Sequence, residues 1–127
     1  MKRPKRKRAL YIRQWDKILN GTKTEHRQVA HPLEWLNKKG IVFQNLLIYE
    51  RGHVYTVYPG KGLPRVMSAL VTNIRSENLQ DISDEGIASE GCVSRRHFQH
   101  VWDMEHRDAT WSENPKVWVF SLEPAKE

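Results

Sequence analysis

Cysteine is almost missing from this sequence: Cys92 stands alone, so no disulfide can form within the chain. Long apolar runs are missing too. No uncharged stretch approaches the roughly 20 residues a membrane helix needs, and none is laid out as a secretory leader. The reading is a cytoplasmic protein without a membrane partner. Internal repeats are absent, and biased composition is confined to the first residues.

Acidic residues are outnumbered, 15 against 21 basic ones, for a formal charge of +6. The surplus is not spread along the chain. Lys2, Arg3, Lys5, Arg6, Lys7 and Arg8 supply all of it, and beyond them 15 Lys+Arg face 15 Asp+Glu. A like-charged run broken by Pro4 cannot bury itself, so residues 1–8 are read as a flexible basic tail. Such a tail can reach phosphates through counterion release, or it can be a solvated terminus that only aids solubility.

What remains suffices for one compact domain: 127 residues, 39% hydrophobic, too few for two cores. The domain is placed at residues 9–123, with a short tail at 124–127. Ile12, Trp15, Ile18 and Leu19 recur at helical spacing, and Gly21 sits where a helix would end. HPLEWLNKKG, residues 31–40, has Pro32 suited to a first turn and Gly40 as a stop, which predicts a second, two-turn helix. From Ile41 the chain turns to β-branched and aromatic residues, and residues 41–75 read as three strands with a hairpin at Arg51-Gly52.

Ser83 can cap a helix whose first turn carries Asp84 and Glu85 and which Gly91 closes. Ser94 starts another, with Phe98, Val101 and Trp102 on its apolar stripe. Lys116 to Leu122 alternate as a closing strand with large residues on both faces, which predicts a strand covered on both sides. A short strand near Ala9 to Ile12 completes the pattern. Interspersed single strands and helices predict an α+β fold, a small curled sheet with helices outside it.

Four segments carry a family resemblance: KILNGTKTEHR, LLIYERG, VTNIRSENLQDISDEGIASEG and WSENPKVWVFSLE. Together they resemble the ASCH family, small β-barrel domains related to the PUA fold, of the kind found in bacteria and phages. The similarity spans roughly residues 15–123. The family signature runs glycine, any residue, lysine, two residues, then Thr or Glu, with an arginine shortly after. Gly21 and Lys23 match it and Arg27 is the arginine. His26 occupies the third place after the lysine, with Glu25 one place early. Gln44 and Asn45 stand where many members have a Gly-Asp turn, and Glu90 matches a family acid.

The resemblance implies a PUA-like β-barrel, a curled mixed sheet flanked by helices, with a cleft beside the lysine loop that binds RNA, another nucleic acid or a nucleoside. It also implies a second activity, because several small members are, or resemble, amidohydrolases acting on N4-acylated cytidine through a Lys, a Thr and a Glu. Carried over, Lys23 and Glu90 are the proton carriers and His26 takes the threonine's place as a further catalytic candidate. No cofactor is implied.

The residues themselves allow both a site and a plainer role. A loop bearing Lys23, Thr24 and Arg27 offers a point charge, a hydroxyl and a planar fork to phosphate or a base edge, with Tyr49 as a neighbouring nucleic-acid contact. The same side chains could be ordinary surface groups, with Arg27 and Glu90 forming a structural ion pair. His97 and His100 share a helical face with Cys92 or His106 nearby, but no third and fourth ligand is defined, so no metal site is assigned. Trp15, Trp102 and Trp118 lie on apolar stripes and belong to the core, whereas Trp35 and Trp111 are uncommitted.

Overall fold

The computed structural model describes residues 8–126. Of the predicted basic tail, therefore, only Arg8 falls within the described residues. Strand β1 (Leu10–Tyr11) leads into helix α1 (Trp15–Leu19), which inserts Ile18 into the core. Gly21, at φ +81°, turns the chain out of that helix, a conformation glycine adopts without strain.

Residues 22–27 are not simply a loop, because the chain enters strand β2 (Glu25–Val29) antiparallel to the C-terminal strand. The segment 31–40 is not a helix either; it contains the short strand β3 (Trp35–Leu36). Two helical turns are too few to nucleate unaided, and side chains compete locally for the backbone. Asn37 Oδ1 accepts from the N–H groups of Lys39 and Gly40, at 2.8 and 2.9 Å, which folds a turn there. Glu34 Oε1 accepts from His31 N–H and from the indole of Trp118, at 2.9 and 2.7 Å.

Residues 41–75 hold four strands rather than three: β4 (Gly40–Phe43), β5 (Leu46–Glu50), β6 (His53–Tyr58) and β7 (Met67–Asn78). The extra break is the tight turn at Gln44 and Asn45, both at positive φ as a two-residue hairpin of the I′ kind requires. Helices α2 (Asp84–Ser89) and α3 (Arg95–Glu105) start at Ser83 and Ser94 as predicted, each serine accepting from the backbone N–H three residues on. Strand β8 (Lys116–Pro124) closes the chain.

The strands form a five-stranded sheet in the order β1-β6-β7-β8-β2 and a small antiparallel sheet, β3-β4-β5. Only β1 pairs in parallel within the larger sheet. β7 binds β6 along its first half and β8 along most of its length, and its register with β8 shifts between Val71 and Asn73. That irregularity helps the sheet curl into a half-barrel.

As predicted, β8 is covered on both faces. Trp118, Phe120 and Leu122 enter the core enclosed by the sheet, together with Leu10, Ile18, Ile74 and Tyr49. Val117 and Val119 face the other way, into a second core built from Ile82, Ile87, Phe98 and Trp102. The fold is α+β, a curled half-barrel with helices packed outside it. Among the described residues no helix is long and apolar enough to cross a membrane.

Candidate functional site

Lys23, Arg27 and Glu90 are buried together, with 3%, 1% and 6% of their surfaces exposed. Three stretches of chain bring them there. Beyond Gly21 the backbone is held between α1 and α2: Lys23 N–H donates to Lys17 O at 2.9 Å and Thr24 N–H to Ser89 O at 2.7 Å. Glu90 ends α2, and Gly91 then reverses the chain at φ +81°. Lys17 Nζ donates to Gly91 O at 2.9 Å, so two lysines meet the negative end of that helix.

The carboxylate of Glu90 sits between two cations. Its Oε1 is 2.6 Å from Lys23 Nζ and its Oε2 is 3.0 Å from Arg27 Nη1. Arg27 also meets Glu77 Oε2 through Nε at 2.8 Å and Glu25 Oε1 through Nη1 at 3.0 Å. Arg75 closes the network from β7, at 3.4 Å from Glu25 and 3.6 Å from Glu77. Three cations thus face three carboxylates and the cluster is formally neutral. Burial disfavours the charged guanidinium, but Glu90, Glu77 and Glu25 outweigh it and raise the Arg27 pKa. Among the described residues Arg27 Nη2 has no hydrogen-bond partner, and it lies against Gly86.

Beside this network is a cavity of about 30 Å³, room for one or two water molecules. Lys23, His26, Arg27 and Glu90 form one wall, and Phe98, Trp102 and His106 of the α3 region another. Arg13 and Glu105, both exposed, border it, and so does Cys92. His26 is held neutral: burial lowers its pKa well below the usual value, and the positive charges of Lys23 and Arg27 add to that. His106 stacks on Trp102 with ring centroids 3.7 Å apart, and burial lowers its pKa as well. Burial and the nearby Glu90 push the Cys92 thiol up, away from the thiolate.

Of the residues singled out from sequence, Lys23, His26, Arg27 and Glu90 therefore share one pocket. Thr24 does not border it; its side chain is exposed, and its backbone N–H and C=O bind Ser89 and Leu122. Tyr49 is not at the pocket either. It is 5% exposed, its ring packs on Phe120, and its hydroxyl donates to Ala9 O at 2.7 Å. Burial pushes its pKa up to about 12. His97 Nδ1 accepts from Val93 N–H, and among the described residues no metal-ligating cluster forms.

Sequence reasoning missed Glu77 and His106 as members of this site. Glu77 lies two residues past the predicted end of its strand, and His106 follows a helix whose stripe was read only for packing. A buried arginine needs carboxylates near it, and that requirement is the one signal that could have prompted a search for Glu77.

A half-barrel with a buried charged cluster at its side is the class of domain that fold and site define. Among solved structures, an ASCH domain from Lactobacillus crispatus is similar at 17% identity, covering 86% of this chain and 68% of its own, with a TM-score of 0.56. A protein of Enterococcus faecalis matches at 13% identity over 88% and 67%, with a TM-score of 0.53. A serine-to-alanine variant of the Zymomonas mobilis ASCH protein matches at 15% identity over 93% and 68%, with a TM-score of 0.51. The chain shares their fold. No family model matches the sequence, and no curated protein does.

Proposed function

We propose that this chain is an ASCH-type nucleic-acid-binding module that takes a nucleobase, of RNA or of a free nucleoside, into the pocket beside Lys23. The supporting observation is the buried Lys23–Glu90 contact at the pocket wall, 2.6 Å between Nζ and Oε1. It sets a strong donor next to a strong acceptor, the combination that the hydrogen-bonding edge of a base requires. Phosphate is a poor occupant here, because the charges of Lys23 and Arg27 are already matched by Glu25, Glu77 and Glu90. Phosphate contacts fall instead to exposed cations such as Arg13.

The cavity is smaller than a base, so entry requires its exposed borders, Arg13 and Glu105, to move aside. Equilibrium binding of cytidine and of a single-stranded RNA to the wild type and to Lys23→Met tests the reading. Binding by the wild type, weakened at least tenfold in a folded Lys23→Met, is expected. Equal binding by the two proteins would remove the pocket from the account.

A second reading, hydrolysis of N4-acylated cytidine, is favoured by one feature: neutral His26 beside Lys23 at a cavity with room for water. Thr24 lies outside, so water is the nucleophile in this reading. The water oxygen attacks the acyl carbon and its proton passes to the Lys23–Glu90 pair, with His26 as a further proton carrier. The C–N bond then breaks, the proton goes to the departing amino group, and a carboxylic acid and cytidine are released. Incubation with N4-acetylcytidine, followed by chromatography for cytidine, decides between turnover and binding alone.

A further inference from the structure

The aromatic pair at the ends of β1 and β6 has no part in the pocket. Tyr11 and Tyr58 are register partners in the parallel pairing of these strands. Their rings stack with centroids 5.7 Å apart and planes 26° from parallel. Side chains alternate along a strand, and Leu10 and Ile12 enter the core, so Tyr11 points away from it, 48% exposed. Tyr58 beneath it is partly buried. The outer ring is therefore held in place by a second ring and still offers much of its surface to solvent.

Beyond the ends of both strands the chain carries exposed cations. Two residues past Tyr11 is Arg13, which borders the pocket, and three past Tyr58 is Lys61. Neither has an ion-pair partner among the described residues, in contrast to Lys23, Arg27 and Arg75. A fixed, exposed aromatic ring flanked by unmatched cations is the combination that holds a single strand, through stacking on a base and attraction to phosphates. Ile12, the residue directly after Tyr11, itself lines the pocket.

We propose that Tyr11, braced by Tyr58, is a stacking platform for single-stranded nucleic acid whose neighbouring base occupies the Lys23–Glu90 pocket, with Arg13 and Lys61 on the phosphates. This rests on the nucleobase reading of that pocket. It makes the ligand a strand rather than a free nucleoside, and it disfavours a duplex, whose bases are stacked on each other.

The test is fluorescence anisotropy with a labelled single-stranded RNA of about 12 nucleotides, within the span such sites cover. Tyr11→Ala should weaken binding about tenfold, the range found for losing one base-stacking ring. Tyr11→Phe, which keeps the ring, should stay within about twofold, and Tyr11→Leu, which keeps the strand apolar without a π face, should behave like alanine. Arg13→Ala and Lys61→Ala should each lower the salt slope by about 0.7. Cytidine binding should be the same in the wild type and all the Tyr11 variants.

RNA affinity unchanged in folded Tyr11→Ala and Tyr11→Leu overturns the platform while leaving the pocket standing if Lys23→Met still weakens binding. Equal loss in Tyr11→Phe also overturns it, since the ring would then not be the contact. A wild type that binds no RNA overturns the platform and the strand reading together, and cytidine binding alone would then preserve only the pocket.

Discussion

The guanidinium of Arg27 is packed against the bare Cα of Gly86. A Cβ at that position would lie 2.9 Å from Arg27 Nη2 and 2.8 Å from Ile82 Cγ1, closer than such atoms approach. Glycine inside a helix ordinarily costs about 1 kcal/mol relative to alanine, so Gly86→Ala would stabilise a free helix. Here the added methyl must displace a buried ion pair or a core isoleucine, and a net loss of about 1 to 3 kcal/mol is expected. Urea unfolding measures it. A midpoint equal to the wild type or higher would mean that the helix and the arginine are not packed this closely.

Arg27 is the member of the network on which the others depend. Arg27→Met leaves Glu77, Glu90 and Glu25 without their common partner, and breaking a buried pair from one side costs about 3 to 5 kcal/mol. Arg27→Lys should recover part of this but not all. One ammonium cannot reproduce the separate contacts that Nε makes with Glu77 and Nη1 with Glu90. Thermal melts of both variants give the order, and a lysine variant as stable as the wild type would contradict the forked geometry.

The parts of this architecture that were legible in the sequence are those with a local cause. Ser83, Ser94 and the glycines at 21 and 91 mark helix ends by backbone chemistry that any fold would use. The alternation of β8 shows directly that both of its faces are covered. β2 was hidden for the opposite reason. Its sequence, EHRQV, carries polar and charged residues on both faces, and its buried member is Arg27, so no apolar period marks it as a strand. Its strand state comes from pairing with β8, almost a hundred residues away in sequence. Likewise, the partnership of Lys23 and Glu90 was suggested by family resemblance, while Glu77 and Arg75 enter only through the register of β7 on β8.

Lys23 and Glu90 should prove energetically coupled. Glu90 retains Arg27 when Lys23 is replaced, so Lys23→Met should cost less than Glu90→Gln, which leaves two buried cations facing a neutral amide. A double-mutant cycle with these two substitutions should give a coupling of about 1 to 3 kcal/mol. Additive effects would show that the 2.6 Å contact contributes nothing beyond its separate parts.

Acid should weaken this fold as pH falls through the histidine range. His26 and His106 both have folded-state pKa values lowered mainly by burial, so each is neutral in the fold and more readily protonated once unfolded. The sign follows from the proton count. Below the ordinary histidine value the unfolded chain binds more protons, so stability is complete above about pH 6.5 and falls as pH drops beneath it. Each such histidine contributes at most about 1.4 kcal/mol per pH unit to that slope. Melting temperature between pH 7.5 and 5.5 should therefore decline in the wild type and decline less in His26→Gln. A variant whose slope matches the wild type would mean that the His26 ring is as open to protons in the fold as in the unfolded chain.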